Sequence, residues 1–237
     1  MMRRPDVRAV LLLAGRLAAA AVVLTLAAIP FALALLRILR HGRFAGLDGR
    51  VANKLYGFAY GSSRAKRLVQ LVTDLGHWSV LGTVVVGVTG TLLIVRRYRD
   101  ALFLVTTVVA GVVVDVVLKG VVERARSAFV APVATDLNKS FPSGHVMNSV
   151  LVYGALLVIV LPELRPVARA AAIAAAVVLV VSIGASRVAL AQHYISDVVG
   201  GATFGVAWLA ATVWAFTAWR RDRAADAIEP VGPNELF

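Results

Sequence analysis

Residues 101–118 read ALFLVTTVVAGVVVDVVL, a run of 18 in which Asp115 is the single charged side chain. A helix needs roughly 17 to 25 apolar residues to cross the hydrocarbon core of a bilayer, and this run meets that length. It therefore predicts a membrane-spanning helix from Ala101 to Leu118. Five other stretches approach or meet the same criterion: Val10 to Leu36, Ser79 to Val95, Val146 to Leu161, Val167 to Ile183 and Ile195 to Trp219. The expected fold is all-α, a polytopic membrane protein of six transmembrane helices forming a single integral membrane domain over residues 1–237.

The composition of the whole chain points the same way. Of 237 residues, 59% are hydrophobic and only 16% charged, and the mean hydropathy is +0.82. Such a chain has too little polar surface for an ordinary globular domain and too much apolar sequence for disorder. The 25 Lys and Arg against 13 Asp and Glu give a net charge of +12. In a soluble protein that excess would raise nucleic acid as a partner. Here the basic residues stand at the ends of apolar runs, where anionic lipid headgroups account for them, so membrane lipids are the expected partners and nucleic acid is not. With no cysteine, disulfides, thiolate metal sites and cysteine nucleophiles are excluded.

The stretches between the runs set the orientation. The first run follows Arg3, Arg4 and Arg8 and ends in Arg37 and Arg40 without a cleavage signal, so it is expected to remain as a span. Residues 41–77 mix Arg64, Lys66 and Arg67 with Leu68, Leu71 and Val72, the pattern of an amphipathic helix lying in the membrane interface. With the N-terminus in the cytoplasm, the short inner segments collect eleven arginines, at 3, 4, 8, 96, 97, 99, 165, 169, 220, 221 and 223. The positive-inside rule then places both termini in the cytoplasm of a bacterial-type plasma membrane. Residues 224–237, with Pro230, Gly232 and Pro233, carry too few apolar side chains to pack and are expected to be flexible.

Three clusters of polar residues fall at the ends of these runs. Lys119 closes the third run, and Arg126 follows seven positions later, with Glu123 and Arg124 between. Alone, this is an ordinary juxtamembrane basic patch. Before the fourth run stands Ser140-Phe141-Pro142-Ser143-Gly144-His145, where a proline, a hydroxyl and a glycine at a helix start make an anion site or, equally, a plain capping turn. The third cluster is Ser186-Arg187, then His193, then Asp197. The i,i+4 spacing of His193 and Asp197 can set a carboxylate beside an imidazole and fix its tautomer, although a His and an Asp at a helix start also serve as caps. An alternating topology brings all three clusters to one membrane face, where cations, imidazoles, a hydroxyl and backbone donors would converge as a phosphoryl group requires.

Together these clusters resemble the three signature motifs of the type 2 phosphatidic acid phosphatase superfamily, whose membrane members are six-helix lipid phosphatases. Lys119, six residues and Arg126 match the first motif, with Ser127 where a proline is expected. Pro142-Ser143-Gly144-His145 matches the second. Ser186, Arg187, His193 and Asp197 match the third. The resemblance implies that His193 is the nucleophile, that Asp197 holds its other ring nitrogen, and that His145 acts as general acid and then general base. It implies that Lys119, Arg126, Ser143, Gly144 and Arg187 hold the phosphate oxygens. Because those residues bring their own positive charge, no metal and no cofactor is expected.

The expected substrate is a lipid phosphate or diphosphate met on the outer face. Polyprenyl phosphates and diphosphates, phosphatidylglycerol phosphate and phosphatidic acid are all in play, and no oligomeric state follows from the sequence. A non-catalytic lipid-phosphate binder or transporter could use the same cations, but it would need no nucleophile and no acid. The soluble haloperoxidases of the superfamily lack such a membrane body. Outside the motifs, Asp115 is expected to be the buried partner of a basic residue. Gly200, Gly201 and Gly205 should allow close helix packing. His41 and His77 should be interfacial, and Trp78, Trp214 and Trp219 should belong to an aromatic belt.

Overall fold

A computed structural model of the chain describes residues 44–122 and 141–226, together with a few isolated positions between 11 and 22. Among the described residues the ordered structure is helical, without strands: α1 Phe44–Tyr60, α2 Ser63–Asp74, α3 Trp78–Ile94, α4 Tyr98–Val122, α5 Gly144–Val160, a 3₁₀ turn Leu161–Glu163, α6 Pro166–Ala189 and α7 Ile195–Asp226.

Four helices are long and apolar enough to cross a membrane, over Tyr98–Gly120, Gly144–Glu163, Pro166–Ala189 and Ile195–Ala218. They correspond to four of the six expected spans. The stretch expected to span from Ser79 to Val95 forms α3, which at 17 residues qualifies only when joined to α2 across a 42° bend. The described residues thus hold four spans, or five with the bent pair, and the run Val10 to Leu36 lies almost wholly outside them. Within the expected interfacial segment, residues 44–60 and 63–74 are helical, with α1 and α2 both packed against α6. Helix α7 continues to Asp226, three residues into the tail expected to be flexible, and residues 227–237 lie outside the described residues.

Local chemistry sets the boundaries. The Ser62 hydroxyl accepts from Ala65 N at 3.1 Å and caps α2, while Pro166 opens α6, where a missing N–H costs nothing. Between α3 and α4 the chain reverses through Arg96, whose φ of 60° is incompatible with a continuing helix. Arg97 then donates to Asp100 at 2.7 Å and pairs with Glu163, tying the α3–α4 turn to the α5–α6 turn at one end of the bundle.

Helix α5 is the axis of the fold, packed against α3, α4, α6 and α7. Two apolar clusters surround it. Leu92, Phe103, Leu104, Ala155, Ile159 and Phe216 fill the end near Arg97, and Leu118, Phe141, Met147, Leu151, Phe204 and Trp208 fill the other. Trp208 Nε1 donates to Thr107 O at 2.9 Å, so the indole is buried with its one polar atom satisfied. The glycines of α7 do allow close packing: a Cβ at Gly201 would stand 2.6 Å from Ser143 O, one at Gly205 2.8 Å from Val150 Cβ, and Gly200 faces the Phe141 ring. Val109, Val113 and Val116 on α4 and Val177, Val178 and Val181 on α6 are exposed, an apolar exterior that suits lipid rather than water.

Candidate active site

The end of the bundle opposite Arg97 gathers the polar residues that the sequence placed in three separate clusters. Helix α4 reaches it in its last turn, α5 and α7 start there, and α6 finishes there. Arg126 lies outside the described residues, as does its neighbour Ser127.

Lys119 Nζ donates to Asp115 Oδ2 at 2.6 Å across one helical turn, so Asp115 is the buried partner that its apolar surroundings required. This pair abuts the first residue of α5. A Cβ at Gly144 would lie 2.6 Å from Lys119 Nζ and 2.9 Å from Asp115 Oδ2, so a larger residue there would displace the ion pair from its present place.

Ser143 occupies the N-cap position of α5, yet its side chain makes no capping hydrogen bond. It is fully buried, and its hydroxyl has no hydrogen-bond partner among the described residues. Its backbone is occupied instead: Ser143 N donates to Asp197 O at 3.0 Å, which joins the start of α5 to the start of α7. A buried hydroxyl without a partner is costly, and a bound ligand or an ordered water is what completes such a group.

Asp197, in the first turn of α7, is fully buried. Its Oδ2 accepts from Tyr194 N at 3.0 Å and lies 3.5 Å from His193 Nδ1. The carboxylate therefore faces the Nδ1 side of a buried imidazole. His193 precedes α7 and sits in the turn that follows Ala191, whose φ of 54° reverses the chain after α6. That turn is held back on α6 by Gln192 N donating to Arg187 O at 3.0 Å. Arg187 is itself buried, and its Nη1 donates to Thr73 Oγ1 at 3.3 Å. His145, half-buried on the first turn of α5, lies within electrostatic range of Arg187, His193, Lys119 and His77.

The structure thus brings together Lys119, Ser143, Gly144, His145, Arg187, His193 and Asp197. It also adds one group that the sequence placed elsewhere. His77, expected at the interface, has its ring centroid 5.7 Å from that of His145. No spacing rule could connect these two, because their proximity comes from the way the α2–α3 bend lies over α5. His41 lies outside the described residues.

Residues 100–221 match the PAP2 superfamily, a segment that contains every one of these residues except His77. The chain belongs to that superfamily. Phosphatidylglycerophosphatase B of Bacillus subtilis strain 168 is 35% identical to it over 138 residues, which is 57% of this chain and 67% of that protein. Among solved structures, a transmembrane PAP2-type phosphatidylglycerolphosphate phosphatase from Bacillus subtilis aligns with a TM-score of 0.67 at 24% identity, covering 84% of this chain and 96% of that one. By family and by its spans, this PAP2 protein is a membrane lipid phosphatase. The fold shared with the solved relative extends beyond the motif segment, since the aligned 84% takes in helices that precede residue 100.

Proposed function

We infer that this PAP2 enzyme hydrolyses a lipid phosphate or diphosphate through a phosphohistidine on His193, without a metal ion. One observation carries the inference above the others: the buried His193–Asp197 pair is bonded through the Asp197 carbonyl to Ser143, whose buried hydroxyl has no partner among the described residues. A nucleophile, its orienting carboxylate and an anion-binding helix start are thereby fixed to one another.

The chemistry follows from those positions. Asp197 holds the proton on His193 Nδ1, so Nε2 carries the lone pair. Nε2 attacks phosphorus, the P–N bond forms and the bond from phosphorus to the lipid oxygen breaks. His145 gives its proton to that departing oxygen. In the second step His145 takes a proton from water, the water oxygen bonds to phosphorus, and the P–N bond breaks to release inorganic phosphate and free His193. Phosphoryl transfer asks mainly for positioning and charge stabilisation. Lys119 and Arg187, joined by Arg126 on the strength of its motif position, supply the positive charge that a metal would otherwise bring, and Ser143 Oγ and Gly144 N–H complete the cradle.

Phosphatidylglycerol phosphate stands first among substrates because both relatives are named for that activity, ahead of polyprenyl phosphates and phosphatidic acid. The membrane body takes six spans, with Val10 to Leu36 and the bent α2–α3 pair joining the four long helices. Both termini lie in the cytoplasm, so the site faces the outside of a bacterial plasma membrane.

Rapid quenching of purified protein with labelled substrate tests the intermediate. Wild type is expected to carry acid-labile, base-stable phosphate, and His193→Ala none. Steady turnover by His193→Ala would remove His193 from the nucleophile's role.

A further inference from the structure

The three motifs are not the only segments that reach the site. The elbow between α2 and α3, residues 73–77, lies against the site and the adjoining length of α5 at four points. Thr73 Oγ1 accepts from Arg187 Nη1 at 3.3 Å. Leu75 O accepts from the Tyr153 hydroxyl at 2.8 Å. Gly76 runs so close over α5 that a Cβ there would stand 3.0 Å from Ser149 Oγ and 3.5 Å from His145 O. His77 then faces His145 with 5.7 Å between ring centroids.

The state of the His77 ring follows from its other contacts. Nδ1 accepts from Ser79 N at 3.4 Å as the N-cap of α3 and lies 2.8 Å from Ser79 Oγ. An imidazole whose Nδ1 accepts carries its proton on Nε2, so the second nitrogen is a donor. Helix α2, which leads into the elbow, holds Arg64, Lys66 and Arg67 against the single carboxylate Asp74, so the approach is electropositive.

We propose that the elbow is a fourth part of the site and that His77 is a specificity-determining residue, donating from Nε2 to a second phosphate carried by the leaving group. This rests on the proposed function, in which His145 protonates the leaving oxygen. A ring beside His145 is then a neighbour of the leaving group, whereas Lys119 and Arg187 surround the phosphoryl group being transferred. The lipids so favoured are those with a phosphodiester or second phosphate just past the bond that breaks.

The test compares phosphatidylglycerol phosphate, whose leaving group bears a phosphodiester, with phosphatidic acid, whose leaving group bears none, in the same micelles. His77→Asn keeps an acceptor for the α3 cap and loses the Nε2 donor, and His77→Gln restores a donor at similar reach. In His77→Asn, kcat/KM is expected to fall about tenfold further on the first lipid than on the second, chiefly through KM, and His77→Gln is expected to recover much of the gap. Both lipids are read on one preparation, so partial misfolding cancels from the ratio. An unchanged ratio, or no loss on either lipid, overturns the proposal. Wild type that hydrolyses neither lipid overturns this inference and the substrate order given under the proposed function, and turnover of a polyprenyl phosphate or diphosphate then decides whether the phosphatase reading stands. Turnover surviving in His193→Ala would overturn only the nucleophile, and the ratio would still decide the role of His77.

Discussion

Ser143 stands where a helix-capping serine stands, yet its hydroxyl is withheld from the helix. A cap accepts a hydrogen bond from the N–H two or three residues on, and its loss typically costs about 1 kcal/mol. No such bond exists here, and the group is buried without a partner among the described residues. Deleting a buried, unpaired hydroxyl is neutral or mildly stabilising, whereas deleting a donor to developing phosphoryl charge costs rate. Ser143→Ala is therefore expected to lower kcat/KM for a lipid phosphate by about 10²-fold while leaving the thermal unfolding midpoint in detergent level or slightly raised. The opposite pattern, a lower midpoint with full activity, would return Ser143 to a structural role. The sequence alone left site and cap equally open at this residue, because the two differ only in where one hydroxyl finds its bond, which depends on the helices packed around it.

At the scale of elements, the site depends on how closely α7 lies against α5. Gly201 is where α7 comes against the backbone of the α5 start: a Cβ there would fall 2.6 Å from Ser143 O, an atom that cannot move aside without shifting the start of α5. Gly87 on α3 has nothing within 4 Å of the same position. Gly201→Ala should thus lower both the unfolding midpoint and kcat/KM, while Gly87→Ala should stay within about 0.5 kcal/mol of wild type and keep its activity. Parallel melting curves and phosphate-release assays check both, and equal behaviour of the two variants would count against the close α5–α7 contact. The apolar runs made α4 to α7 legible, since length and hydropathy are properties of each run by itself. The α2–α3 elbow was not legible. His77 ends a mixed stretch whose amphipathic pattern does not say which helix it meets, and its place beside His145 arises from a bend and from the Thr73 and Leu75 contacts, which are long-range in sequence.

For the molecule as a whole, the motif residues at one end and the Arg97–Asp100–Glu163 cluster at the other give the bundle two chemically distinct faces. The chain contains no cysteine, so single cysteines report sidedness cleanly. A cysteine at Asn138, in the segment joining the site ends of α4 and α5, should react with a membrane-impermeant thiol reagent in intact cells, and one at Tyr98, exposed at the Arg97 end, should not. Reversed labelling would invert the orientation while leaving the chemistry untouched. That chemistry, a self-sufficient cationic cradle serving a histidine nucleophile, is tested most directly by phosphate release from phosphatidylglycerol phosphate with the purified full-length protein in excess EDTA. Sustained multiple turnover that EDTA leaves intact and orthovanadate inhibits is the expected result. Binding of the lipid without release of phosphate, or activity lost in EDTA and restored by Mg²⁺, would contradict it.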